Sequence, residues 1–225
     1  MTRLALVLAV TLAAIALAQP DGGARKPVVA VIYFEVDDRL GELTVFRKGL
    51  AEMLITDLVA SERLTVVERA RLEEVTKELD FKDSKYFRNG KTIELGDLLQ
   101  AQWKITGTIL PVKQGLIIEA RLISMLTAQI VKTARVVIAR DDVLEGEQKL
   151  ADKLLAAIAD AEKLTLPVPQ RKAVKLKLDT AVKYSQSLEA RDTKNPEKAR
   201  ALLNQVVTEQ PDFILARLDL AALSK

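Results

Sequence analysis

The chain has 225 residues, 49% hydrophobic and 29% charged, a globular balance that accommodates one or two compact domains. Lys and Arg number 34 against 31 Asp and Glu, a net charge of +3, so no strong positive field is present to gather nucleic acid. Cys and His are both absent, which removes disulfides, thiolate and imidazole metal sites and histidine-activated nucleophiles; the residues call for no metal and no cofactor.

Arg3, the apolar run Leu4 to Leu17 and the small-residue pattern Ala16-Leu17-Ala18 have the three parts of a secretory signal. The run is shorter than the roughly 20 residues that span a bilayer, and polar Gln19 to Gly23 follow at once. Residues 1–18 are therefore expected to be a signal peptide, cleaved after Ala18, and 19–27 a flexible leader. No Cys is available to carry a lipid. The expectation is an exported protein, periplasmic or held at the outer membrane by protein contact, with no membrane span after cleavage.

A first domain is expected over 28–163. Val28 to Phe34 is an apolar, β-branched run read as a central strand buried on both faces. Phe46, Leu50, Met53, Leu54 and Leu58 recur at helical spacing within 42–60, where Gly49 weakens the helix slightly. Leu64 to Val67 reads as a second strand and Ala70 to Leu79 as a second helix. After the polar stretch 81–91, a short helix is expected from Thr92 to Ala101. Three strands follow over 103–112, 116–126 and 130–139, joined by turns short enough for an antiparallel meander. Asp141 and Asp142 then cap a helix from Val143 to about Leu164, whose apolar stripe is interrupted only by Glu147.

Pro167 and Pro169 mark a linker over 164–171, and 172–225 reads as a small all-α region. Helices are expected over 175–191, 196–209 and 213–223, with Pro196 opening the second and Pro211 following it. Ala199, Leu203, Val206 and Pro211 have the spacing of the second helix of a tetratricopeptide repeat. So short an array buries its apolar face poorly, so it is expected to dock on the first domain or on a neighbour.

Val28 to Phe34, a helix, then Leu64-Thr65-Val66-Val67-Glu68-Arg69 with Leu72 and Glu78 following, resemble the CsgG family of curli production assembly/transport components. Ile105-Thr106-Gly107-Thr108-Ile109, after a helix ending near Ala101-Gln102-Trp103, is similar to the same family's next strand. The likeness runs from Lys26 to about Glu162. It implies an α/β fold with a mixed sheet in a bacterial envelope protein, often assembled in rings, with related folds in the TolB N-terminal domain and in lipoprotein activators of peptidoglycan synthases. Channel-forming members carry an N-terminal lipidated Cys and inserted membrane hairpins; this chain has neither the Cys nor loops long enough for the insertions, and a protein that forms no pore is expected.

The leading expectation is a non-enzymatic envelope protein that self-associates or binds other envelope proteins or peptides, with no nucleic-acid partner. A soluble accessory or activator of a cell-wall synthase or secretion system is the alternative. A carboxylate-dependent hydrolase using Asp37 or Asp141 is the second, disfavoured because no spacing brings two carboxyls together. Candidate partner-contact residues are Glu68 and Arg69 after the second strand, Trp103 at the start of the meander, and Tyr184, Leu188 and Arg217 on the helical tail; Glu68-Arg69 also reads as a structural turn.

Overall fold

A computed structural model describes residues 25–37, 41, 43–78, 92–172 and 174–223. The signal and the polar stretch at 81–91 lie outside the described residues. The strands are β1 (Val28–Val31), β2 (Glu35–Val36), β3 (Thr65–Val66), β4 (Trp103–Val112), β5 (Gly115–Ser124) and β6 (Ile130–Ala139). The helices are α1 (Phe46–Val59), α2 (Arg69–Glu78), α3 (Thr92–Leu99), α4 (Val143–Glu162), α5 (Leu178–Asp192), α6 (Pro196–Glu209) and α7 (Ile214–Ala222). The sheet is open and mixed, in the order β3-β1-β4-β5-β6, with β2 also on β4; β1 is parallel to β3 and β4, and β4 to β6 form an antiparallel meander.

Residue alternation along β1 shows why this strand is central. Val29 and Val31 enter a cluster with α1 and α4, while Ala30 and Ile32 enter a second cluster with Leu72 and Val75 of α2 and Leu95 and Leu99 of α3. A strand apolar on both faces is the consequence of helices on both faces. The meander is different: Leu116, Ile118, Ala120 and Leu122 of β5 are buried under the helices, while Ile117, Glu119, Arg121 and Ile123 on the other face are only half-buried.

The expected strand 28–34 is interrupted. Its pairing with β4 moves from Val31↔Ile105 to Glu35↔Thr108, four residues against three, so one extra residue is accommodated at 32–34 as a bulge. Gly107 makes room there: a Cβ on it would lie 1.9 Å from the Glu119 carbonyl oxygen and 2.8 Å from the Phe34 ring.

The three C-terminal helices add a layer behind α1. α5 packs on α1, and α6 and α7 follow in sequence. Gly49, expected only to weaken α1, sits at this crossing: a Cβ there would lie 2.1 Å from Ser185 Oγ and 3.3 Å from Ser185 Cβ. Ala199, Leu203, Val206 and Ala216 are buried, and the Tyr184 ring meets Phe213 edge-on at 5.0 Å. These residues, except Ala199, belong to the same apolar cluster as β1 and α1. Asp142 caps α4 by accepting from the Glu145 N–H, and Asn195 caps α6 by accepting from Lys198.

Candidate functional site

Arg69 opens α2 and is only 6% exposed. Its guanidinium grips Asp192, the last residue of α5, through Nη1 to Oδ2 at 2.6 Å and Nη2 to Oδ1 at 3.0 Å. Nε donates to Glu52 of α1 at 3.1 Å, and Nη1 also reaches the Tyr33 hydroxyl at 3.3 Å. Tyr33 lies in the β1–β2 bulge and donates in turn to Glu73 at 2.6 Å. Lys48 of α1 completes the group, with Nζ 2.7 Å from Asp192 and 2.5 Å from Glu189. One planar fork and one ammonium thus tie the bulge, α1 and α2 to the C-terminal end of α5.

The electrostatics follow from partial burial and close charge. Burial alone would raise Asp192, but hydrogen bonds from Arg69 and Lys48 outweigh it and hold the carboxyl below its ordinary range. Burial would likewise lower Lys48, yet Asp192 and Glu189 hold it above its usual value. Burial pushes the Tyr33 phenol up, against the opposing charge of Arg69. Asp192 and Lys48 are each held in the charged form by the other, and the group is an ionic clamp.

A second cluster lies under the linker. Glu147 of α4 is 0% exposed and neither carboxyl oxygen has a geometrically sound hydrogen-bond partner. Burial pushes it well above the carboxylate range, the adjacent Asp57 adds to this, and Arg171 opposes it. Arg171 leaves the linker to place Nε 2.8 Å from Asp57 of α1 and Nη1 2.6 Å from Asp152 of α4. The visible sequence signal was the carboxylate interrupting the α4 stripe; the pairings made by Arg171, Lys48 and Asp192 had none.

The candidates do not gather at one place. Arg69 faces the protein's own Asp192. Tyr184 is buried, donating to Asp219 at 2.9 Å, and Leu188 is buried between α5 and its neighbours. Trp103 is half-buried, with Nε1 donating to Glu162 of α4 at 2.5 Å. Glu68 and Arg217 are exposed. Glu68 lines a shallow cleft of about 590 Å³ beside β3, with Arg25, Lys26, Arg71 and Gln100. Asp37 and Asp141 are exposed on separate connections, after β2 and before α4.

Exposed apolar surface is concentrated elsewhere. Register places Leu110, Ile117 and Val137 in one row across the uncovered face of the meander, and Val137 is 72% exposed. The next row is Thr108, Glu119 and Arg135. On the tail, Ile214 and Leu218 of α7 are also exposed. Among the described residues no helix is long and apolar enough to cross a membrane, and no three acidic groups converge as a metal site.

Among solved structures, the chain is similar to TolB from Acinetobacter baumannii, at 16% identity and a TM-score of 0.41, covering 60% of this chain and 29% of that one. It therefore spans less than a third of that protein. The C-terminal domain of LpoB from Salmonella enterica is 18% identical, over 53% of this chain and 87% of that one, with a TM-score of 0.40. The PelC dodecamer from Paraburkholderia phytofirmans is 11% identical, over 65% and 89%, with a TM-score of 0.39. No curated protein matches. Residues 12–115 match the family described as curli production assembly/transport component CsgG. That CsgG-like segment takes in β1 to β4 and ends at the first residue of β5, short of the Glu162 reached by the resemblance read from sequence.

Proposed function

We propose that this chain is an exported envelope protein that works by protein contact, as an accessory to a larger envelope assembly rather than as a membrane channel. The observation that carries the reading is the CsgG match over residues 12–115, which takes in β1 to β4 of a sheet whose meander presents an uncovered face. The secretory pattern at 1–18 supports export.

The meander is ill suited to lipid. Its apolar face is occupied by helices, and its other face carries Glu119, Arg121 and Arg135, whereas a membrane strand needs an unbroken apolar face over roughly 9 to 11 residues. An accessory role accounts for an open platform with a helical array clamped behind it. The tail is read as tetratricopeptide-like, a reading supported by burial of Ala199, Leu203 and Val206 and by Pro211 after α6. The boundary between the two parts is placed at 164–171, a reading supported by the lack of helix or strand among the described residues of that stretch.

The test is fractionation of cells expressing the full chain, with N-terminal sequencing and in-cell photo-crosslinking from a probe at the exposed Thr133 of β6. Recovery of a processed periplasmic form, crosslinked to a defined envelope protein, is expected. An unprocessed cytosolic product, conductance in planar bilayers, or turnover of a small molecule by pure protein overturns the reading.

A further inference from the structure

The sheet ends at β6, a strand of ten residues, and among the described residues no strand lies on its outer side. Which of its backbone groups face outward follows from the ladder. The Arg140 N–H donates to the Gln114 carbonyl, so alternation turns the N–H and C=O of Ala134, Val136 and Ile138 toward β5 and those of Thr133, Arg135, Val137 and Ala139 toward the open edge. Two contacts agree: Lys153 of α4 donates to the Arg135 carbonyl at 2.7 Å, and the Asp142 N–H to the Ala139 carbonyl at 3.3 Å. Thr133 and Val137 retain both groups, and Arg135 its N–H.

We infer that the outer edge of β6 is a docking site for an extended, acidic segment of a protein partner, which adds a strand to the sheet. This rests on the reading that the chain works by contact. The edge is long and β-branched, as strand addition requires. The strand itself carries charges of one sign, Lys132 and Arg135 with no acid; Arg140 follows it, and the acids Asp141 and Asp142 come only past its C-terminal end. Lys153 overhangs from α4. Glu119, the cross-strand neighbour of Arg135, is already engaged by Arg121 at 3.3 Å. Basic side chains are also how proteins discourage pairing between like edges. That device disfavours a second copy in the two most central registers: antiparallel self-pairing centred on Arg135 sets it against itself, and centring on Val136 sets Lys132 against Arg140. An acidic strand meets no such penalty, and its carboxylates fall beside cations.

The probe is a labelled peptide alternating valine and glutamate, matched to β6 in length, titrated against the full chain; the control replaces glutamate with lysine. The acidic peptide is expected to bind at least about tenfold more tightly than the control and to weaken with added salt. Amide exchange should slow at Thr133, Arg135 and Val137 and stay unchanged at Ala134 and Val136. Charge reversal at two exposed positions, Lys132→Glu with Arg135→Glu, leaves the fold intact and should cost about tenfold in affinity. Val137→Pro removes an edge donor without breaking the ladder to β5. Equal binding of both peptides, no binding, or protection confined to another element overturns the assignment. Folded Val137→Pro protein that crosslinks to the same envelope partner as wild type overturns it too and leaves the contact reading standing. A wild-type chain that crosslinks to nothing removes the contact reading, and the peptide titration still decides the edge.

Discussion

Arg69 and Asp192 stand 123 residues apart and meet through two parallel N–H to O contacts, so the first residue of α2 holds the last residue of α5. The pair is an ionic link between the V-V-E-R turn and the helical tail. Both groups are largely shielded, and removing one strands the other beside a half-satisfied network.

Asp192→Ala is therefore expected to cost about 2–4 kcal/mol, because Arg69 and Lys48 lose their shared acceptor. Arg69→Met in that background should cost much less than it does alone, a coupling of about 1–3 kcal/mol in a denaturant double-mutant cycle. Asp192 is held below its ordinary 3.8, so its share of stability is present above that value and is lost as pH falls through the depressed one. Additive single and double variants at neutral pH would show that the clamp carries no energy.

Glu147 gives the opposite pH dependence. Its folded carboxyl is raised, so above the ordinary 4.5 the folded chain keeps a proton that the unfolded chain releases, and this contribution to stability declines as pH rises. Glu147→Gln removes the titration, and its amide can donate to Asp57. The variant should match wild type near pH 4 and exceed it at neutral pH by about 1–3 kcal/mol in thermal melts. A difference independent of pH would place the proton elsewhere.

Gly49 tests the packing between layers. Gly49→Val drives two methyls into Ser185, whose hydroxyl donates to the Ala181 carbonyl, and should destabilise by about 1–3 kcal/mol. Pairing it with Ser185→Gly should restore part of the loss, which an intrinsic change in α1 helicity would not allow.

Local chemistry was legible where residues spoke for themselves. Pro196 fixed the start of α6 at the expected residue, and alternation along β5 matches its buried face. The bulge at 32–34 was hidden because it is a mismatch with β4, and Ile32, Tyr33 and Phe34 have strand composition by themselves. Gly49 read as a weakness because its purpose belongs to Ser185. Arg69 was noticed for its type, but its partner could be found only after the tail had folded back. Arg171 and Lys172 looked alike in sequence, yet one is held by Asp57 and Asp152 and the other meets an exposed Asp212.

Leu203 decides whether the tail is part of the folded unit. It is 2% exposed on α6, within the cluster that reaches from β1 to Ala216. Leu203→Ala should cost about 2–4 kcal/mol, from lost burial and the cavity left behind. Leu203→Asp places an unpaired charge there and should open the tail outright. Because α5 reaches the sheet through α1, undocking exposes the α1 surface around Gly49 and frees Arg69 and Lys48 from Asp192. Limited proteolysis of Leu203→Asp is expected to cut within 164–177 and leave a fragment containing α1 to α4. If that fragment retains cooperative melting, the sheet and its first helices fold without the tail; if the whole chain is degraded at one rate, the clamp and the α1–α5 contact bind both parts into a single cooperative unit.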